Sequence, residues 1–311
     1  MLPYVAYLFI FQNLAYATVK TYVAGLQFYL FTNDYSTSSI WSPQLNQSLK
    51  GFLLRECRER PLSERSKLPV TLSMIFWGRD NILVKSSSPL VRSALLAALC
   101  IGFMFLFRKS EYLTDKNRRP KMSYGVISTL TAEFTHFWFN DIPYEASSPQ
   151  FPIGQLPSMM SMYLPLSKGD PLGKGATRFF PSDPKNPDCL VRVAFEYIVQ
   201  AKLRPTDCLF AGPRIVITKD MVSDLIKLIA IGNGLPAYRY SPHSIRVGGL
   251  VTLMAADVPD HLKQLAGRWA NPKSFVAYAR ATLQQFKTIS STLNNKFLVT
   301  SDEIKKFYVQ K

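Results

Sequence analysis

Residues 241–280 read SPHSIRVGGLVTLMAADVPDHLKQLAGRWANPKSFVAYAR, and two helix starts are legible in them. Ser241 stands before Pro242, a capping residue followed by a proline whose missing N–H costs nothing in a first turn. Asn271 and Pro272 repeat the pattern. Between them Val258, Leu262 and Leu265 recur at helical spacing, so the stretch predicts three short helices joined by tight turns. Each helix carries something a core does not need. His243 and Arg246 lie at i and i+3 on one face. They sit near an N-terminus whose open N–H groups and dipole favour an anion. Gly248 and Gly249 follow inside the helix, where they cost stability, and they point to a close approach of backbone to a neighbour. Arg268 and Trp269 close the second helix, and Tyr278 lies in the third, nine residues after Trp269. An imidazole and a guanidinium at a helix start make a phosphate site. A tyrosine brought beside it would be a nucleophile facing a phosphodiester.

The order HSIRVGG, GRW, then Tyr278 resembles the C-terminal half of the tyrosine recombinases, the phage-integrase family. The wording is most similar to the recombinases of DIRS-like retrotransposons and Cryptons. The resemblance implies H-x-x-R, then His or Trp, then a nucleophilic Tyr. It also asks for two residues upstream, an Arg on a buried helix and a Lys on a β-hairpin. The apolar run SSSPLVRSALLAALCIGFMFLFRKSEYL (86–113) reads as a long buried helix, and Arg108 interrupts it near its end. A charge there is expensive unless paired. Arg108 resembles the family's first catalytic Arg in its R-x-x-E form, with Glu111 at i+3 to orient it. Ser167-Lys168-Gly169-Asp170 resembles the family's S-K-T-D turn, which nominates Lys168, with Lys174 of the same hairpin as the second candidate. The implied catalytic set is therefore Arg108, Lys168, His243, Arg246, Trp269 and Tyr278, with Glu111 in support.

What the resemblance implies chemically is a cut and rejoining of DNA through a 3′-phosphotyrosyl link at Tyr278. Bond energy is conserved in that link, so neither a cofactor nor a metal is required. The implied partner is double-stranded DNA, held by a homotetramer on two sites. Two other readings share the DNA partner: a type IB topoisomerase acting as a monomer, and an element-derived DNA-binding protein without activity.

Composition agrees with a polyanionic partner. Of 311 residues, 37 are Lys or Arg and 21 Asp or Glu, a net charge of +16, which favours nucleic acid first and an anionic membrane surface second. The longest apolar run, Ala94 to Phe107, is shorter than the ~18 residues of a spanning helix. MLPYVAYLFIF at the start has neither a charged lead-in nor a small-residue cleavage pattern, and is not read as a signal peptide. Cys57, Cys100, Cys189 and Cys208 show no metal or disulfide spacing. With His136, His243 and His261 scattered, the chain reads as intracellular and metal-free, and as nuclear if its host is a eukaryote.

The expected fold class is mainly α with a small antiparallel β-sheet. Residues 1–60 read as a helical domain resembling the family's SAM-like core-binding domain, which clamps the far side of the duplex. In it Val19, Tyr22, Val23, Leu26, Tyr29 and Leu30 are expected on one face with Lys20 opposite, and a second helix from Pro43 through Leu54. The N-terminal domain is shorter than the resemblance leads one to expect. RECRERPLSERSKLP (55–69) is basic and holds two prolines. It reads as the link between domains, centred on 61–69, either solvated or meeting phosphates through Arg55, Arg58, Arg60, Arg65 and Lys67. Arg268 is a further candidate DNA contact. The catalytic domain is expected over 70–311. It has a first helix at 71–84 and strands within 124–139 and 160–167, with loop between them. A helix follows at 187–203, with Val191, Ala194, Phe195, Ile198 and Val199 inward, and residues 210–212 and 218–231 complete the scaffold. SDEIKKFYVQK at the end reads as a terminal helix that docks either on a neighbouring protomer or on its own domain.

Overall fold

The computed structural model describes residues 1–37, 40–59, 67–86, 88–114, 122–123, 126–127, 129–165, 175–183, 185–256 and 258–269. They fall into two compact units, Met1–Ser66 and Lys67–Lys311.

The first unit is helical. Helix α1 (Leu2–Ala6) runs into a π-helical turn, Tyr7–Phe11, and is followed by α2 (Tyr16–Thr32) and α3 (Pro43–Glu59). Val5, Leu8, Val19, Val23, Ile40, Leu45 and Leu49 form its core. Glu56 of α3 accepts the Tyr16 backbone N–H at 2.7 Å, placing a carboxylate at the positive end of α2. The expected inner face of α2 is only half right. Val19 and Val23 are buried, but Tyr22 is 52% and Tyr29 61% exposed. This helix is apolar on nearly every side, so its periodicity did not select a face. Helix α3 runs on past Leu54 to Glu59 because no proline interrupts the chain between Pro43 and Pro61. Arg55 and Arg58 consequently sit on a helix and not in a linker.

In the second unit the buried helix α5 (Pro89–Met104) is the centre. Ser88 caps it by accepting the Val91 N–H at 3.3 Å, and every residue from Ala94 to Met104 is buried. Around it pack α4 (Leu72–Asn81), α7 (Leu190–Ala201), α8 (Lys219–Gly232) and α9 (Pro242–Ala255). Thr71 and Thr218 cap α4 and α8 as Ser88 caps α5. The long helix expected over 86–113 is broken. Helix α5 stops at Met104, Leu106 takes a left-handed conformation (φ 49°), and Arg108 becomes the N-cap of a separate short helix, α6 (Lys109–Tyr112). Hydrophobic continuity concealed the break, because Phe105, Leu106 and Phe107 are as buried as the helix before them.

Strands β1 (Met122–Ser123) and β2 (Val126–Ile127) pair with each other. The main sheet is antiparallel, in the order β4-β3-β5-β6, from β3 (Thr135–Phe139), β4 (Ile142–Glu145), β5 (Met159–Leu164) and β6 (Ala176–Pro181). Phe137 and Phe139 of β3 meet Phe195 of α7 at 5.2 and 5.5 Å between ring centroids, which seats the sheet on the helical core. Two strands thus exceed expectation. The loop expected after residue 140 is strand β4, reached through a two-residue turn in which Asn140 and Asp141 have φ of 48° and 64°, the geometry that hairpins prefer. Conversely, Ala132–Phe134 is a 3-10 turn inside the stretch expected as strand. On α7, Val199 is 46% exposed; it lies about 100° around the helix from the buried Ile198. The third helix expected after Asn271, the terminal helix and residues 115–121 lie outside the described residues. Among the described residues no helix is long and apolar enough to cross a membrane.

Finally, α9 is approached by backbone on two sides. Leu68 N donates to Arg239 O at 3.1 Å and Val70 N to Ser244 O at 3.0 Å. A Cβ on Gly248 would lie 1.8 Å from Val70 O, and one on Gly249 2.6 Å from Phe103 O. The glycine pair lets the helix carrying His243 and Arg246 touch both the incoming segment and the end of α5. Gly248→Ala is therefore expected to cost about 2–3 kcal/mol through overpacking. Gly51→Ala, where a Cβ meets nothing within 4 Å, is expected to gain about 0.5–1 kcal/mol. Urea unfolding followed by circular dichroism checks both.

Candidate active site

The site forms where the turn after α5 meets the starts and ends of α9 and α10 (Asp260–Gly267). Helix α9 opens as its sequence requires: Pro242 occupies the first turn, and the Ser241 and Ser244 side chains exchange capping bonds with the backbone. This start directs Arg246 inward. Its residue is 3% exposed. Nη1 donates to Leu106 O at 2.6 Å and Nη2 to Gly267 O, so one guanidinium ties the α5 turn to the end of α10. Trp269 stacks on it, 4.8 Å from guanidinium carbon to ring centroid, and is buried with Leu106 and Leu250. Gly267 makes room for that ring: a Cβ there would lie 1.8 Å from it.

Arg108 and Glu111 form a reciprocal cap on α6. Glu111 Oε2 accepts the Arg108 N–H at 2.7 Å and Oε1 accepts from Arg108 Nη1 at 2.9 Å. The Glu111 side chain is 5% exposed and that of Arg108 28%, so the guanidinium is anchored at its buried edge and open at the other. Arg268 takes the second share of the same carboxylate, donating from Nη2 to Glu111 Oε2 at 2.6 Å and from Nη1 to Phe105 O at 3.1 Å. Its side chain is 6% exposed and lies over the Phe107 ring at 5.1 Å. Arg268 holds a left-handed conformation (φ 54°) at the C-cap of α10, where glycine is usual. Burial holds its guanidinium below the usual arginine value; Glu111 opposes that shift, and Arg178 and Arg108 add to it.

His243 is half-buried one turn before Arg246. Burial, then Arg246, Arg108, Lys109 and Lys67, hold its imidazole below the ordinary histidine value, so it is neutral at neutral pH. Of the sequence-predicted residues, Arg108, Glu111, His243, Arg246, Arg268 and Trp269 are thus drawn to one place. Lys168, Lys174, Tyr278 and Arg65 lie outside the described residues. Lys67 belongs to the second unit and donates from Nζ to Tyr238 O at 2.8 Å. Lys20, Arg55 and Arg58 are exposed on α2 and α3 of the first unit. Arg268, expected as a DNA contact, is turned inward onto Glu111.

Sequence reasoning missed Arg178 on β6. Its Nη2 donates to Leu265 O of α10 at 2.7 Å, its Nε is buried with no hydrogen-bond partner among the described residues, and burial lowers its pKa. The alternation of β6, with Arg178 and Phe180 inward, was a readable signal once the segment was a strand. Among the described residues, no group of His, Cys, Asp and Glu is placed to hold a metal. The arrangement sets two guanidinium groups, Arg108 and Arg268, on the one carboxylate of Glu111, with Arg246 near by, which leaves positive charge among the described residues of a low-dielectric ledge suited to an oxyanion.

No family model matches the chain, and no curated protein matches it. Solved structures do. The chain is similar to the XerH site-specific recombinase bound to a palindromic difH substrate in a post-cleavage complex, with a TM-score of 0.55 and 14% identity over 94% of this chain and 72% of that one. A pre-cleavage XerH complex gives 0.46 and 14% over 92% and 72%, and XerA recombinase 0.39 and 13% over 92% and 80%. The first comparison establishes the fold, a mainly helical chain with a small antiparallel sheet, as one shared with the XerH structure.

Two outcomes are expected from this geometry. Glu111→Gln leaves Arg268 buried without a carboxylate and should destabilise the second unit by about 3 kcal/mol, seen as a lower urea midpoint. For His243, the unfolded chain binds a proton below about pH 6.5 that the folded chain resists. Stability should therefore fall as pH drops from 6.5 towards the lowered folded value. His243→Asn should flatten that slope in unfolding curves compared across pH 7 to 5.

Proposed function

We propose that this chain is a site-specific DNA recombinase that cuts and rejoins DNA through a 3′-phosphotyrosyl intermediate at Tyr278. One observation carries the reading: Arg108, His243, Arg246 and Trp269, four of the residues named by the sequence motifs, gather at the turn after α5 in a fold shared with the XerH recombinase. The DIRS- and Crypton-like wording of the motifs supports a mobile-element origin. Double-stranded DNA is the partner, with a homotetramer on two sites performing strand exchange.

In this reaction the phosphodiester lies against the cationic ledge, the open edge of Arg108 serving its non-bridging oxygens while the buried Arg246 adds its charge from behind. Guanidinium suits that task because it offers two parallel donors, which an ammonium does not. Charge that builds on phosphorus in the transition state is met by cations already in place. Tyr278 Oη attacks phosphorus while the bond from phosphorus to the 5′-oxygen breaks. The phenol proton passes to His243, whose depressed pKa keeps it neutral and ready to accept. Lys168 gives a proton to the leaving 5′-oxygen. Trp269 donates no proton; its indole packs the turn and stacks on Arg246.

The test is covalent trapping. Protein is incubated with nicked or supercoiled DNA carrying candidate element ends and quenched in detergent. An adduct that survives, and that is lost in Tyr278→Phe and Arg108→Ala, is the expected result. DNA bound but never nicked would instead identify a binding protein without activity, and relaxation without exchange between paired sites would identify a topoisomerase.

A further inference from the structure

Helix α10 has almost no core of its own. Its buried positions are Lys263 and Gly267, while Leu262 and Leu265 are 43% and 58% exposed. None of its residues belongs to the main hydrophobic cluster of the unit. Its C-terminal turn nevertheless presents Trp269 and Arg268 to the site. Side chains from elsewhere grip that turn by its carbonyls. Arg246 holds Gly267 O from α9, and Arg178 holds Leu265 O from β6 at 2.7 Å. The Leu265 carbonyl also accepts the Arg268 N–H at 3.2 Å, so Arg178 acts on the bond that closes the left-handed turn. Two residues on along the same face of β6, Phe180 meets Phe105 of the α5 turn at 6.1 Å between ring centroids. Strand β6 thus touches both turns from which the site is made. It also pairs antiparallel with β5, and Lys168 and Lys174 lie in sequence between the two strands.

We propose that Arg178 is a positioning residue that fixes the C-terminal turn of α10, and with it Arg268 and Trp269, against the β5–β6 hairpin. This rests on the recombinase reading for its kinetic consequence but not for its structural one. The guanidinium is half-buried, its Nε meets no acceptor among the described residues, and the acceptors of its described hydrogen bonds are the backbone carbonyls of Thr177 and Leu265. A helix C-terminus is an acceptor of partial negative charge, and a cation bridging to it from a sheet joins two elements that share little apolar surface. A shorter side chain would leave the turn free to shift, and a displacement of about 1 Å at a reacting centre costs up to roughly 100-fold in rate.

The experiment compares the full chain with Arg178→Ala and Arg178→Lys by two readouts. Hydrogen exchange in a peptide covering 260–269 should quicken in Arg178→Ala while peptides of α7 do not change, and Arg178→Lys should restore most of the protection. With saturating nicked DNA, single-turnover adduct formation should fall roughly 10- to 100-fold in Arg178→Ala, with DNA affinity by fluorescence anisotropy nearly unchanged. Unaltered exchange at 260–269 would overturn the proposal. So would an unaltered adduct rate, or a loss confined to DNA affinity, which would make Arg178 a phosphate contact. If wild type forms no adduct, the recombinase reading fails and the exchange result alone decides the role of Arg178.

Discussion

The buried guanidinium of Arg246 is the constraint on which the second unit's site depends. A charge taken out of water is costly unless its donors are met, and here the acceptors are backbone, Leu106 O and Gly267 O. Both carbonyls lie at or just beyond helix C-termini, where open acceptors and the dipole favour a cation. Arg246 therefore serves as counter-charge to two helix ends at once and dictates how far apart they stand. The kink after Met104, with Leu106 in the left-handed region, follows from this: a helix continued through Leu106 would point that carbonyl along its own axis and away from Arg246. Because the chain turns there, Arg108 emerges at the start of α6 with a free edge, not along the flank of α5.

The same solution is used repeatedly around the turn of α10. Arg268 takes Phe105 O, Arg178 takes Leu265 O, and Arg246 takes Gly267 O. Carbonyls satisfy hydrogen bonding but carry only partial charge, so they leave the guanidinium charge largely unneutralised. Glu111 is a carboxylate divided between two of the site's guanidiniums, Arg108 and Arg268. Had Arg268 been absent, Glu111 and Arg108 would form a neutral pair with little to offer an anion. Sharing the carboxylate leaves the group with an excess positive charge, and Arg108 is its more exposed end. Burial first, and this excess second, explain why His243 resists protonation.

Much of this was readable before any coordinates, and the parts that were not have physical reasons. Ser241-Pro242 is a local signal and it places α9 as expected. Arg108 and Glu111 are three residues apart, so their pairing is also local. The spacing of His243, Arg246 and Trp269 sufficed to bring them together because short helices with fixed caps leave few arrangements. The break after Met104 left no local mark, since apolar residues continue through it and the cause is a guanidinium 140 residues away in sequence. Arg178 was invisible for the same reason: its partner is 87 residues on. The Asn140-Asp141 turn was a true local signal that the alternation of the flanking residues overshadowed. For α2, apolar on nearly all sides, periodicity had nothing to select.

Arginine recurs here for a reason that bears on how such a site is kept. Each guanidinium has a structural edge turned to carbonyl or carboxylate, and in Arg108 a second edge remains accessible. A planar fork can hold one partner and present donors to another without moving. A lysine ammonium in the place of Arg246 would have to serve two carbonyls from one point on a flexible stem. Holding the turns and presenting the charge are thus one function of the same side chains. The site is cationic because its scaffold is assembled by cations, and what keeps that charge from dispersing the turns is the partial negative charge of the helix ends they grip.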